Sequence, residues 1–354
     1  MRIGYMRYLL LFSIFFVWLS CVTDKREIPI PDIDNIDIEF DIIRFETALQ
    51  NIDTNQIESG FKILLDQYPG FTNLYFKKIV PINEDNYGKS FNEELAKLLK
   101  DQRFRTLIDT IQDLYPRFET QIGADLEKAF KNYKYYFPEF IAPQIYTLVS
   151  EFAYQQFLFE EQPGVEGMGI GLDLFLGSQF PYQKIAPGLP SFSAYLTRTF
   201  TREHIVRKAV KTILDDRWPP ERNQTLLDFM ISNGKKLYLL QRILPETPDS
   251  VIMEYSSDQM DWVKENELSI WSFFFGEKLF YETNMLKINK YINVSPDSPG
   301  MPAQAPGRTG NYIGKQIINA YMERHPETTM QDLLRLQDAQ KIMDLSRYKP
   351  RQRK

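Results

Sequence analysis

Cysteine is almost missing from this chain: Cys21 is the only one in 354 residues. A lone thiol excludes any disulfide within the chain. Histidine is nearly as scarce, with only His204 and His325. The HExxH zinc arrangement needs two histidines four apart on one helix face with a glutamate between them. The stretch REHIVRKAV, residues 202–210, offers Glu203 and His204 but no second histidine, so it cannot make that site. No GxSxG nucleophile elbow occurs. The glycines of GMGIGLDLFLG, residues 167–177, have apolar filling and no following lysine, which argues against a phosphate loop. No excess of positive charge exists either, with 42 basic against 47 acidic residues and a net charge of −5. General nucleic-acid binding depends on neutralising phosphates and is disfavoured by that balance. Beyond the N-terminus no apolar run reaches the roughly 18 residues that read as a membrane span.

The N-terminus is where the lone cysteine gains meaning. It reads MRIGYMRYLLLFSIFFVWLSC, with Arg2 and Arg7 ahead of an apolar run from Tyr8 to Leu19. The run is too short to span a bilayer but fits the apolar region of a secretory signal. Leu19-Ser20-Cys21 resembles a bacterial lipobox, with Trp18 where leucine is commonest. That resemblance implies diacylglycerol on the Cys21 thiol, cleavage between Ser20 and Cys21, and acylation of the new amine. Residues 1–20 are then a leader, and removing Arg2 and Arg7 leaves 40 basic against 47 acidic residues, net −7. Residues 21–35 read as a lipid-anchored tether, kept extended by Pro29 and Pro31. Residues 36–346 are expected to form a single globular domain, and RYKPRQRK, 347–354, a basic, solvated tail.

Apolar periodicity divides the domain. Residues 36–45 alternate Ile36, Ile38, Phe40 and Ile42 with Asp37, Glu39 and Asp41, the pattern of a half-buried strand. Helical spacing follows over 46–67 and again over 92–115, where Pro116 closes it. Residues 145–151 and 167–177 read as two strands lying against each other. The rest reads as helix: 195–215, 225–243, two helices within 257–291 meeting near Glu267, then 311–325 and 329–346 after a proline-rich loop at 295–310. The expected class is α+β and mainly helical, with a small N-terminal to central sheet and a helical C-terminal part.

Few residues stand out as chemistry. A surface or capping role accounts for His204, and His325 sits before Pro326 at a helix C-terminus, where a positive group is favoured. Glu160-Glu161, Asp215-Asp216 and the acids of 258–267 read as solvated faces. Trp262 and Trp271 lie in the aromatic-rich stretch DWVKENELSIWSFFFGEKLFYETN, which reads as core, with a partner groove as the sharper possibility.

Several segments together resemble one family. GIGLDLFLG, GKKLYLLQRILPETPDSVIMEYSSDQMDWVKENELSIWSFFFGEKLFYETN and PGRTGNYIGKQIINAYM, closing with LSRYKP, are similar to the gliding-motility lipoprotein B (GldB) family over nearly the whole chain, including the position of Cys21. The resemblance implies a lipoprotein of the cell envelope, anchored to a membrane on its periplasmic face. It implies a need for the protein in gliding, alongside other gliding and secretion proteins of the envelope, and leaves the molecular action open; the expectation from the residues is partner binding with no cofactor and no catalysis. The same segments are more faintly similar to zinc metallopeptidase-like proteins. That similarity implies a degenerate scaffold in which 195–215 has lost its histidine pair, and Asn233 before Gly234 replaces the glutamate ligand. Gly310 and Gly314 would let one helix approach its neighbour. Asp173 and Arg308 would flank a cleft and pair, with His204, Asn233, Trp262, Trp271 and Tyr312 around it. The alternative is an envelope hydrolase, acting on peptide or glycan with carboxylates.

Overall fold

A computed structural model describes residues 30–82, 89–185, 187–219 and 225–350. Residues 32–350 belong to one compact unit; of the segment before it, only Ile30 and Pro31 are described, outside any helix or strand. Cys21, the leader and most of the expected tether lie outside the described residues, as do 351–354.

Four strands make the sheet: β1 (Ile42–Arg44), β2 (Gln144–Leu148), β3 (Gln156–Gln162) and β4 (Val165–Gly171), in the order β1-β2-β4-β3. β2 runs parallel to β1, with Ile43 opposite Tyr146, and parallel to β4, with Tyr146 opposite Gly169. β3 and β4 form an antiparallel hairpin. The glycines of β4 have a packing reason. Phe159 lies opposite Gly167 and Phe157 opposite Gly169, and a methyl on either glycine would come within 2.3 Å and 2.2 Å of the facing ring. The aromatic rings fill the space that a side chain would occupy.

β1 is short but firmly held. Ile145 N donates to Asp41 O at 2.9 Å, and Asp41 N donates to Gln144 Oε1 at 2.5 Å. Arg44 Nε donates to Glu46 Oε1 at 2.6 Å, and Thr147 Oγ1 on β2 donates to Glu46 Oε2 at 2.7 Å. Arg44 Nη1 also reaches Tyr115 O at 3.0 Å.

Between β1 and β2 the chain forms α1 (Phe45–Gln50), α2 (Ile57–Gln67), α3 (Pro69–Leu74), α4 (Lys89–Lys100), α5 (Gln102–Leu114) and α6 (Phe118–Tyr136). After β4 come the single turns α7 (Tyr182–Ile185) and α8 (Ala194–Thr197), then α9 (Glu203–Arg217), α10 (Leu226–Ile243), α11 (Asp249–Met253), α12 (Ser257–Glu265) and α13 (Glu267–Gly276). α14 (Met285–Ile292), α15 (Thr309–Arg324), α16 (Met330–Arg335) and α17 (Ala339–Ser346) complete the chain. Capping boxes start α10, through Thr225 and Asp228, and α12, through Ser256 and Gln259. α10 packs most extensively on α15. Glycine makes that contact: a Cβ on Gly314 would sit 1.8 Å from Met230 O, and one on Gly234 would sit 2.4 Å from the Gly314 carbonyl carbon.

The structure is α+β and mainly helical, as expected, and β2 and β4 are the two strands anticipated against each other. Several boundaries differ. The strand expected over 36–45 is confined to 42–44, where a partner exists. The helix expected over 92–115 breaks at Asp101, whose carboxylate accepts from Arg103 N and Phe104 N and so starts a new helix. α6 and β3 fall in stretches given no element, and with α6 the N-terminal half holds far more helix than strand. Glu161 is not solvated: the ladder shifts register between Glu160 and Gln162, and the Glu161 carboxylate turns inward to accept from Gly70 N at 3.0 Å and Phe71 N at 2.7 Å. It caps the start of α3, where negative charge is favoured. The tail is not wholly frayed either, because Tyr348 is packed.

Candidate functional site

α9, the end of α11 and the start of α15 bring a charged cluster into the interior. His204, Arg207 and Lys208 lie three and four residues apart and share one face of α9. α11 ends at Glu254, which holds a left-handed backbone with φ 52°. Arg308 precedes α15 and is left-handed too, with φ 61°. Arg198 follows α8.

Glu254 is the hub. Its Oε1 lies 3.2 Å from Arg207 Nη1 and 2.9 Å from Lys208 Nζ, and Arg308 Nη1 donates to its Oε2 at 2.8 Å. The same cations take up the carbonyls at the end of α11. Arg207 Nη2 donates to Ile252 O at 2.9 Å, Arg308 Nη2 to Met253 O at 2.7 Å, and Arg198 Nη2 to Glu254 O at 2.9 Å. These last carbonyls have no intrahelical partner, so cationic donors there satisfy both the hydrogen bonds and the helix dipole.

Burial alone would push the Glu254 carboxyl up. Arg207, Lys208 and Arg308 outweigh it and hold the group well below the usual carboxylate range. Burial also lowers the proton affinity of Arg207 and Lys208, only partly offset by Glu254. His204 is buried rather than exposed. Its Nδ1 bonds Thr201 Oγ1 at 2.8 Å, and burial pushes it down to about 4, so the ring is neutral at neutral pH.

The other residues singled out by sequence do not converge on one cleft. Asp173 follows β4, fully buried, and accepts from Ser150 N at 3.1 Å, Ser150 Oγ and Phe152 N at 2.5 Å. It fixes a turn in which Glu151 and Phe152 are both left-handed, with φ 52° and 67°. Burial raises its carboxyl to about 6, against the pull of those donors. Its partners are therefore on the 150–152 turn, while those of Arg308 are Met253 and Glu254: the expected Asp173–Arg308 pair is replaced by two separate arrangements. Asn233 Nδ2 donates to Asn311 Oδ1 at 2.9 Å across the α10–α15 contact. Tyr312 OH reaches Glu267 Oε2 at 3.1 Å, and Tyr348 OH reaches Glu267 Oε1 at 2.9 Å. Glu267 is thus another acid that is buried, not solvated. Trp271 lies 5.2 Å from the Tyr348 ring and 4.9 Å from Phe280. It and Trp262 are half-buried against the core.

Sequence reading missed Arg198, Arg207, Lys208 and Glu254. One signal was present: Arg207 sits three and seven residues before Val210 and Leu214, on a face of α9 that is otherwise apolar and buried. A cation in an apolar stripe needs a buried partner. Among the described residues no three His, Cys, Asp or Glu side chains are grouped as metal ligands, and no helix is long and apolar enough to cross a membrane.

The class defined by this architecture is a mainly helical α+β protein organised around a buried, cation-rich ion cluster. The family model of the gliding motility protein GldB matches residues 26–350, and the chain belongs to that family. Membership implies a role in gliding motility and points to a lipoprotein of the cell envelope. No curated protein matches the chain, and no solved structure does.

Proposed function

We propose that the chain is a lipid-anchored envelope protein that serves gliding motility and its associated secretion machinery by binding other envelope proteins, without catalysis. The family match supports the gliding role, and the leader-like run ending at Cys21 supports the anchor. At the ion cluster, binding rather than chemistry is supported by the state of Glu254. A general acid or base works by changing protonation near the working pH. Glu254 is held ionised far below that range, and neighbouring His204 is pushed down to about 4. Both act as fixed parts of the framework. On the faint resemblance to zinc peptidases, Asn233 would be the counterpart of a carboxylate ligand; its amide donates instead to Asn311.

The test is gene deletion, complemented with wild type or with Cys21→Ala, scored by surface spreading, adhesin export and incorporation of labelled palmitate. Wild type should restore spreading and carry label; Cys21→Ala should do neither. Full rescue by Cys21→Ala would sink the anchor. Unchanged spreading and export after deletion would sink the gliding role.

A further inference from the structure

The segment ahead of β1 keeps the side-chain alternation of a strand. Ile36, Ile38 and Phe40 are half-buried, and Asp37, Glu39 and Asp41 are exposed. Phe40 packs edge-on against Phe130 of α6, with ring centroids 5.1 Å apart. Only the ladder is missing. Asp37 O accepts from Lys134 Nζ, and Asp41 is bonded to Gln144 and Ile145. The backbone N–H and C=O groups of Ile38, Glu39 and Phe40 have no hydrogen-bond partner among the described residues. β1, into which they lead, is a terminal strand with β2 as its one neighbour. Alternate residues of a strand point their amides to opposite sides. Those of Asp41 face β2, so those of Phe40 and Ile42 face away from it.

This edge has room beside it. A cleft of about 750 Å³ lies between residues 38–42 and the face of α6 that runs from 119 to 127. Its charge is of one sign. Glu39, Asp41, Glu119 and Glu127 line it, and among the described residues no lysine or arginine does. Glu127 is paired with Lys131 at 2.7 Å and Glu119 lies 3.9 Å from Arg44, whereas the carboxylates of Glu39 and Asp41 have no ion pair among the described residues. An unpaired edge is a template for another strand. Like charges facing each other across a ladder repel and opposite ones attract. An acidic fence therefore turns away a second copy of this edge and admits a basic strand.

We infer that residues 38–42 are a docking edge for an extended segment of a partner protein, one that alternates basic with apolar residues and lies in the cleft against α6. The inference rests on the binding role proposed above and names the partner's chemistry.

The experiment is fluorescence anisotropy on the full chain in non-ionic detergent. The probe is an end-capped, fluorescein-labelled heptapeptide alternating lysine and valine. Two controls are the same peptide with glutamate for lysine, and the lysine peptide with every backbone amide N-methylated. The lysine peptide should bind and the glutamate peptide should not. N-methylation keeps the charge and removes the ladder donors, so it should weaken binding at least roughly tenfold. Glu39→Gln should weaken it roughly two- to fivefold, the worth of one exposed charge pair. Ala124 is exposed on α6 and lines the cleft, so Ala124→Trp should fill the space and abolish binding without lowering the melting point. Thr120→Trp, exposed on the same wall, serves should that variant misfold. The idea is overturned if the glutamate or N-methylated peptide binds as the lysine peptide does, or if the folded tryptophan variant binds as wild type does. A dimer that Ala124→Trp dissociates, seen by sedimentation, would overturn it in favour of a second copy. The titration uses no cells, so its failure removes the strand site and leaves the gliding role to the deletion experiment.

Discussion

Arg308 and Glu254 form an ion pair of 2.8 Å in which both residues hold left-handed backbone, φ 61° and 52°. Non-glycine residues reach that region at a cost, and they persist there when surrounding contacts over-determine them. Here the contacts are the pair itself, the two flanking α9 cations and the carbonyls at the end of α11. The pair joins the end of one helix to the start of another.

Glu254→Gln keeps the shape of the side chain and removes its charge. Arg207, Lys208 and Arg308 then lose the carboxylate they share. Stability should fall by about 3–5 kcal/mol, the range for breaking one side of a buried pair. Urea unfolding with an unchanged m-value measures it; a loss under about 1 kcal/mol would mean that the backbone carbonyls alone hold the cations.

His204 and Asp173 should give opposite pH slopes. The folded state lowers His204 from 6.5 to about 4, so its contribution is complete above pH 6.5 and is lost as pH falls toward 4. The folded state raises Asp173 from 3.8 to about 6, so its contribution is complete below 3.8 and is lost as pH rises through 6. Between pH 4 and 6.5 the two oppose each other. His204→Gln should leave stability falling with rising pH across that window, and Asp173→Asn should leave it rising. Chemical denaturation at half-unit pH steps reads both slopes; parallel curves for the two variants would contradict the assignment.

Gly314→Ala should destabilise, against the usual gain of alanine over glycine inside a helix. The new methyl would meet Met230 O at 1.8 Å, forcing α10 and α15 apart. A cost of about 1–3 kcal/mol follows from overpacking. Gly276→Ala, at the end of α13 with nothing within 4 Å, is the control and should be neutral or slightly stabilising. Equal melting points for the two variants would show that the helices yield.

Tyr348→Ala should strip the edge-on ring from Trp271 and one hydroxyl from Glu267. Tryptophan emission should shift to longer wavelength as Trp271 gains water. Tyr348→Phe keeps the ring and should keep the emission, while losing about 1 kcal/mol from the hydrogen bond. A red shift in both variants would place the effect on the hydroxyl instead.

What could be read beforehand was set by local pattern. The α10–α15 approach was visible in Gly310 and Gly314, spaced four apart. The β2–β4 pairing was visible in two apolar runs, and the core role of Trp262 and Trp271 in their aromatic neighbours. β3 was missed because QFLFEEQ alternates poorly, being interrupted at the bulge that turns Glu161 inward. The strand at 36–45 was overextended because alternation reports a wish to bury one face, whereas a ladder also needs a partner. Apart from Arg207 in the apolar stripe of α9, the Glu254 cluster was hidden for a different reason. Its members come from three separated stretches, around Arg198–Lys208, Glu254 and Arg308, and a charged residue looks the same in one dimension whether it faces water or another charge.

The attachment of β1 carries a mechanical consequence. A pull transmitted from the N-terminal side enters the body at Asp32 and meets β1 before any other strand. β1 lies parallel to β2 and is fastened by ladder bonds, by the Asp41–Gln144 contact and by the Arg44–Glu46–Thr147 bridge. When the load runs along the strand, these fastenings share it and must give way together rather than one after another. The first strand among the described residues thus has the geometry of a shear clamp against a load along its own axis.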